Sequence, residues 1–166
     1  MEKNLFSKQE CKNIIDRAES KNLWRQLNHG VFHYQISELP LTEDESSRIK
    51  NYCKKFLNIE LNFLDASIMK YQKGDFIKKH VDRFIDIESK NVYHTRMLYN
   101  INMILNDDYT GGEFHLNNMP HIQDIGTVYH YKSDQTHEVK PIKSGTRYSV
   151  LFYIKEDYIN RNNTII

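Results

Sequence analysis

The sequence predicts a mainly β domain of the α+β kind: a sandwich or barrel of short strands, with two N-terminal helices packed on one sheet. Three observations predict it. Two helix-start signals, each followed by an apolar helical stripe, fall in the first third of the chain. From about Leu61 onward, runs rich in Val, Ile, Tyr, Phe and Thr alternate with turn residues at short intervals. No helical pattern separates those runs, so a parallel βαβ arrangement is excluded.

The elements follow in order. Ser7 with Glu10 forms an S-x-x-E capping box, and Cys11, Ile14, Ile15 and Ala18 behind it share one helix face, predicting a helix over 8–20. The stretch 31–39 reads as a strand ending at Pro40. Thr42 and Glu45 repeat the capping signal, and Ile49, Cys53, Phe56 and Leu57 give a second amphipathic helix over 43–57, ending near Asn58. Strands are then predicted over 64–71, 93–105, 113–116, 127–131, 137–142 and 147–154. The turns between them carry Lys73-Gly74-Asp75, Asn106-Asp107-Asp108, Gly111-Gly112, Asp124-Ile125-Gly126 and Ser144-Gly145. This divides the chain into a helical support region at 1–60, a β core at 61–157 within the same domain, and a tail at 158–166 that frays from about Asn160.

Composition narrows the function classes. With 23 Lys+Arg against 22 Asp+Glu, the net charge of +1 offers no electrostatic pull on a polyanion, so no nucleic-acid partner is expected. No run of 18 apolar residues is present, so no membrane span is expected. The N-terminus lacks the apolar stretch of a signal peptide. Cys11 and Cys53 both fall in helical segments and are read as free thiols of a cytoplasmic protein. Eight His stand out, and the question is whether some of them form a site.

His80-Val81-Asp82 answers first. In a strand, residues i and i+2 point to one side, so an imidazole and a carboxylate there can share one metal ion. A third ligand is needed, and His137, entering a strand after a polar turn, is the best candidate. Two His and one carboxylate make the facial triad of non-heme Fe(II) oxygenases, with the opposite face of the metal open. Arg147, on the next strand, is costly inside a β-sandwich unless an anion meets it. A dicarboxylate cosubstrate supplies that anion, bidentate to the guanidinium. Ser149 shares the face of Arg147, and Tyr71 is placed to reach the same carboxylate. Asn100 and Asn102 are polar within an otherwise apolar strand. Edge-strand solvation is the plain account, and a substrate- or cosubstrate-facing role the alternative. His115 and His130 read as half-exposed sheet histidines, His94 and His121 as loop residues, and Lys78, Lys79 and Arg83 as a solvated basic group.

These segments resemble a known family. Tyr71-Gln-Lys-Gly-Asp-Phe-Ile-Lys-Lys-His80-Val-Asp82 resembles the first metal-binding segment of prolyl-4-hydroxylase-like 2-oxoglutarate/Fe(II)-dependent dioxygenases. Met103-Ile-Leu-Asn-Asp-Asp-Tyr-Thr-Gly-Gly-Glu-Phe114 resembles their central hairpin, and His137-Glu-Val-Lys-Pro-Ile-Lys-Ser-Gly-Thr-Arg147-Tyr-Ser-Val their closing strands. The resemblance implies a double-stranded β-helix, or jelly roll. It implies Fe(II) held by His80, Asp82 and His137, 2-oxoglutarate anchored by Arg147 and Tyr71, dioxygen as co-reactant, and ascorbate as accessory reductant. No catalytic side chain beyond the metal ligands is assigned. Some members place a Tyr before the Leu-Asn turn where this chain has Ile104; either cosubstrate affinity is lower for it, or Asn102, two residues back on the same face, substitutes.

The implied reaction is hydroxylation of an unactivated C–H bond, with a prolyl residue of a protein or peptide as the best substrate. A free amino acid, another small metabolite and another protein side chain stay open, as does a non-enzymatic metal-binding jelly roll. The polar loop 84–95 is read as a substrate lid.

Overall fold

The computed structural model describes residues 4–82, 97–121 and 124–160. Helix α1 (Lys8–Lys21) is followed by strands β1 (Arg25–His29) and β2 (Phe32–Glu38), helix α2 (Glu43–Leu57), and strands β3 (Asp65–Tyr71) and β4 (Phe76–His80). Then come β5 (Met97–Ile104), β6 (Thr110–Gly111), β7 (Phe114–Leu116), β8 (Met119–Pro120), β9 (Val128–Lys132), β10 (His137–Val139), β11 (Ile142–Ser144) and β12 (Arg147–Lys155). The main sheet runs β8-β7-β10-β4-β2-β3-β12-β5-β9, with β1 also paired to β2, and β6 pairs with β11 in a small second sheet. Every pairing is antiparallel. The sheet curls into an open half-barrel, the jelly-roll architecture expected of the sequence.

Both helices begin as their capping boxes require. Ser7 and Thr42 each accept the N3 amide of their helix, and Glu10 and Glu45 reach back to the cap amides. The same glutamates also tie the helices together: Arg48 of α2 donates to Glu10 at 2.7 Å, and Arg17 of α1 donates to Glu45 at 2.9 and 3.0 Å. Cys11, Ile14, Ala18, Ile49 and Cys53 bury as anticipated against Ile68, Ile101, Met103, Val128, Val150, Phe152 and Ile154 on the convex face of the sheet. Phe56 does not: it is partly exposed, and Tyr52 takes its place. Tyr52 can do so because its hydroxyl meets His130 Nδ1 at 2.9 Å, so the polar tip is satisfied inside the apolar interface.

A second core fills the concave side. Tyr34, Met69, Tyr71, Phe114, Tyr129, Tyr131, Val139 and Leu151 pack there, with Tyr153 at the edge of the cluster. Strand alternation divides the two cores. On β12, Val150, Phe152 and Ile154 face the helices, whereas Arg147, Ser149, Leu151 and Tyr153 face inward. On β5, Ile101 and Met103 face the helices, which turns Asn100, Asn102 and Ile104 inward.

Other expectations are corrected. The strand anticipated over 137–142 is two strands, because Pro141 cannot donate to a ladder and the chain changes partner there. Strand β1 carries no alternation and is mostly exposed, so it left no pattern to read. Edge solvation does not explain Asn100 and Asn102, since β5 lies between β12 and β9 and both side chains are buried. His80 and Asp82 do not lie within one strand: β4 ends at His80, and Asp82 follows in a bend. The anticipated residues 93–96 of β5, the loop 84–95 with His94, Arg83 and residues 161–166 of the tail lie outside the described residues.

Candidate active site

The β3–β4 turn aims the first ligand segment. Asp75 closes that turn by accepting from the Gln72 amide at 2.8 Å and meeting His33 Nδ1 at 2.6 Å. The Gly74 amide donates to Ile142 O at 2.9 Å and the Ile142 amide to Asp75 O at 3.0 Å, so the far ends of the two ligand-bearing segments are locked together. At their near ends His80 of β4 lies directly opposite His137 of β10 in the antiparallel ladder. Register alone therefore sets two imidazoles side by side, their ring centres 4.2 Å apart. The Asp82 amide donates to Ser133 O at 2.9 Å, which holds the carboxylate beside them although the strand has ended.

The imidazoles are oriented as metal ligands need. His80 Nδ1 lies 2.9 Å from Lys78 O, and His137 Nδ1 lies 3.1 Å from Gln135 O. With Nδ1–H donating to a carbonyl, the Nε2 lone pair is free to face the metal. Both Nε2 atoms do face Asp82, at 3.0 Å from Oδ1 for His80 and 3.4 Å from Oδ2 for His137. The ligand atoms of the three residues lie within 4.8 Å of one another, the one such group among the described residues. Two donor atoms each about 2.1 Å from an ion and at right angles are about 3 Å apart, so the spacing suits a six-coordinate divalent ion. Burial raises the Asp82 carboxyl pKa, but the His80 hydrogen bond, the charge of His137 and the Asn100 amide outweigh it and hold the group below its ordinary value. Burial lowers the His137 pKa despite the attraction of Asp82, which favours the neutral ligand form. A carboxylate and two neutral imidazoles form the donor set that suits Fe(II).

Arg147 lies at the other end of the inner face of β12, paired in register with Tyr71 of β3. It is fully buried. Its Nη1 donates to Ser149 Oγ at 3.0 Å, and its guanidinium carbon sits 5.0 Å from the centre of the Tyr71 ring. Asn106 explains its placement. That amide donates to Thr146 O at 2.7 Å and accepts from the Tyr148 amide at 2.8 Å, clasping the backbone on both sides of Arg147. Gly112 supplies the space: it has φ +68°, and a Cβ there would stand 2.4 Å from Ile142 Cδ1 and 3.1 Å from Arg147 Cδ.

Between these ends the chamber wall is aromatic. Tyr34 stacks on Tyr71 with centres 5.0 Å apart, and Tyr131 lies 4.9 Å from the His137 ring. Burial pushes the phenol pKa values of Tyr34, Tyr71, Tyr131 and Tyr153 up, so all four stay protonated hydrogen-bond donors. Asn102 Oδ1 is buried on the same wall with no hydrogen-bond partner among the described residues. The seven residues singled out in the sequence therefore share one concave face: His80, Asp82 and His137 cluster at one end, Arg147, Tyr71 and Ser149 at the other, and Asn102 stands on the inner face of β5.

The sequence signature of the 2OG-Fe(II) oxygenase superfamily matches residues 66–155, more than half of the chain. The chain belongs to that superfamily. It is a 2-oxoglutarate/Fe(II)-dependent dioxygenase, and membership implies Fe(II), 2-oxoglutarate and dioxygen at this chamber. No curated protein matches the sequence. Among solved structures, a Pseudomonas putida prolyl-4-hydroxylase superposes with a TM-score of 0.72 at 16% identity, covering 92% of this chain and 89% of that one. A viral collagen prolyl hydroxylase from Paramecium Bursaria Chlorella virus-1, in its 2OG complex, gives 0.71 at 18% identity and covers 93% of each chain. A Trichoplax adhaerens prolyl hydroxylase in complex with a hypoxia inducible factor oxygen degradation domain peptide fragment gives 0.68 at 13% identity, covering 95% of this chain and 82% of that one. At these identities the likeness is one of fold.

Sequence reasoning missed Asn100 as the partner of Asp82, the backbone carbonyls of Lys78 and Gln135 that orient the imidazoles, and the tyrosines that wall the chamber. Only Asn100 left a signal, as a second polar residue in an apolar strand.

Proposed function

We propose that this dioxygenase hydroxylates an unactivated C–H bond of a prolyl residue in a protein or peptide. His80, Asp82 and His137 would hold Fe(II), and Arg147 with Tyr71, Ser149 and Asn102 would seat 2-oxoglutarate. The observation that carries this reading is the pairing of a three-ligand site with a fully buried arginine on one concave face. A metal-binding module has no use for a guanidinium deep in its chamber, whereas a dicarboxylate does.

Each part then has its work. The carbonyl-tethered imidazoles and the ionised Asp82 preset the metal site. Arg147 takes the distal carboxylate of 2-oxoglutarate, with the Tyr71 phenol as a further donor. The aromatic wall keeps bulk water from the reacting centre. When bound, the iron and 2-oxoglutarate supply the oxidising chemistry, which belongs to the cofactor and not to the protein.

A protein or peptide substrate is supported by the company the fold keeps. Three structural neighbours are named prolyl hydroxylases, one of them with a bound peptide fragment. Ascorbate is proposed as the reductant that sustains turnover. Within 1–60 the two helices brace the β core from the convex face, while β2 is itself a strand of the main sheet, between β4 and β3. A reducing, cytoplasmic setting is supported by Cys11 and Cys53, both buried free thiols. Among the described residues no helix is long and apolar enough to cross a membrane.

The test is succinate release by the Fe(II)-loaded protein, with and without proline-containing peptides, followed by peptide mass. Peptide-stimulated succinate with a gain of one oxygen on proline supports the reading. Stimulation only by a free amino acid, or oxygen on a different side chain, replaces prolyl with that substrate.

A further inference from the structure

Asn100 is fully buried in the middle of β5, with β12 on one side and β9 on the other. It lies in register with Tyr153 of β12 and Tyr131 of β9, where a buried amide is costly unless its polar atoms are met. One of them is met by a metal-ligand candidate: Asn100 Nδ2 donates to Asp82 Oδ2 at 2.5 Å. The direction of this amide is not arbitrary. A carboxylate only accepts, so the nitrogen must face Asp82 and the oxygen must face away. That oxygen, Asn100 Oδ1, is buried in the chamber wall with no hydrogen-bond partner among the described residues. The two oxygens of Asp82 differ in one partner: Oδ1 lies 3.0 Å from His80 Nε2, whereas Oδ2, 3.4 Å from His137 Nε2, also accepts from Asn100.

We infer that Asn100 is a positioning residue for the carboxylate ligand: it restrains Oδ2 of Asp82, so that the group arrives already aimed. A carboxylate free to rotate can take an ion through both oxygens and fill a position that 2-oxoglutarate or dioxygen needs. Asn100 opposes this from a rigid central strand, across 18 residues of sequence. This inference rests on the metal reading of the site.

The experiment uses the full chain and compares wild type with Asn100→Ala and Asn100→Ser, side chains of similar size that differ by one hydroxyl. Mn(II) affinity is measured by calorimetry, and the visible spectrum of the Co(II) form reports its coordination. Thermal unfolding of the metal-free proteins monitors the fold. Asn100→Ala should lose about 10- to 100-fold in Mn(II) affinity and alter the Co(II) spectrum. Asn100→Ser should recover at least threefold of that loss, although both leave a comparable void. Asn100→Leu, which fills the space without a donor, should behave like Asn100→Ala and carries the test if the smaller variants unfold. Mn(II) binding by Asn100→Ala within twofold of wild type, or equal losses in the Ala and Ser variants, overturns the inference. If wild type itself takes up no Mn(II) at millimolar concentration, the metal reading fails and this inference falls with it.

Discussion

Arg147 offers the sharpest test of how the chamber works. Its guanidinium is fully buried, flanked by the Ser149 hydroxyl at 3.0 Å and the Tyr71 ring at 5.0 Å. A carboxylate that reaches it is desolvated on arrival and meets a planar fork. Arg147→Ala should therefore lose about 2–5 kcal/mol of 2-oxoglutarate binding, or ~30- to several-thousand-fold in affinity. Arg147→Lys keeps the charge and loses the fork. It should lose roughly the value of one charge-assisted hydrogen bond, about 1.5–3 kcal/mol, or ~10- to ~150-fold. Arg147→Met keeps most of the volume and none of the charge, so it should bind as weakly as the Ala variant while the metal-free fold melts near wild type. Mn(II) affinity should be unchanged throughout, since the metal ligands lie at the other end of the chamber. The assay is an anaerobic titration of 2-oxoglutarate into the Fe(II)-loaded protein, read by the metal-to-ligand charge-transfer absorption. An Arg147→Ala variant that binds as wild type does, or a wild type with no absorption change at millimolar 2-oxoglutarate, would refute the anchoring role.

Further outcomes follow from other parts of the molecule. His137→Ala should lose more than about 100-fold in Mn(II) affinity with the β fold retained, as followed by calorimetry and circular dichroism. Gly112→Ala places a methyl 2.4 Å from Ile142 Cδ1 and 3.1 Å from Arg147 Cδ at φ +68°; it should cost roughly 1–3 kcal/mol of stability and weaken 2-oxoglutarate binding more than Mn(II) binding. The Arg48 hydrogen bond, then those at the Ser7 cap, lower the Glu10 pKa from 4.5 to about 2. A depressed carboxylate stabilises the fold fully above its unfolded value, so the contribution is complete above 4.5 and fades as the pH falls toward about 2. Glu10 is largely solvated, so the pH-dependent part of the Arg48→Met effect should stay below about 1 kcal/mol and shrink through that window in urea titrations. Burial pushes the thiols of Cys11 and Cys53 up to about 11 and about 12. Neither should react with a thiol reagent at pH 8 in the folded protein, and both should react once it is unfolded.

The chain announced its local structure well. Ser7 with Glu10 and Thr42 with Glu45 marked both helix starts because a capping box satisfies amides within four residues, with no help from the rest of the fold. The turn at Lys73-Gly74-Asp75 was legible for the same reason. The three clustered candidate ligands could also be picked out, since two lie two residues apart and the third enters a strand after a polar turn. Where the readings went astray, a distant partner decided. Phe56 yielded to Tyr52 because His130 lay waiting on β9. The strand over 137–142 broke because β11 found β6 instead of β4. The polar pair on β5 was read against the solvent because nothing in the sequence shows that β9 covers that edge.

Sequence by itself determined the class of the protein: strand-rich segments, two capped helices, a His-x-Asp with a later His, and an arginine ten residues beyond it. These are properties of neighbours along the chain, set by periodicity, capping and residue chemistry. Tertiary structure alone decided that His137 faces His80 across a ladder, that Asn106 clasps the backbone around Arg147, and that Asn100 reaches Asp82. Each of these depends on strand register and on the curl of the sheet. Both are settled by which faces can be buried together over the whole chain, so a local pattern cannot carry them.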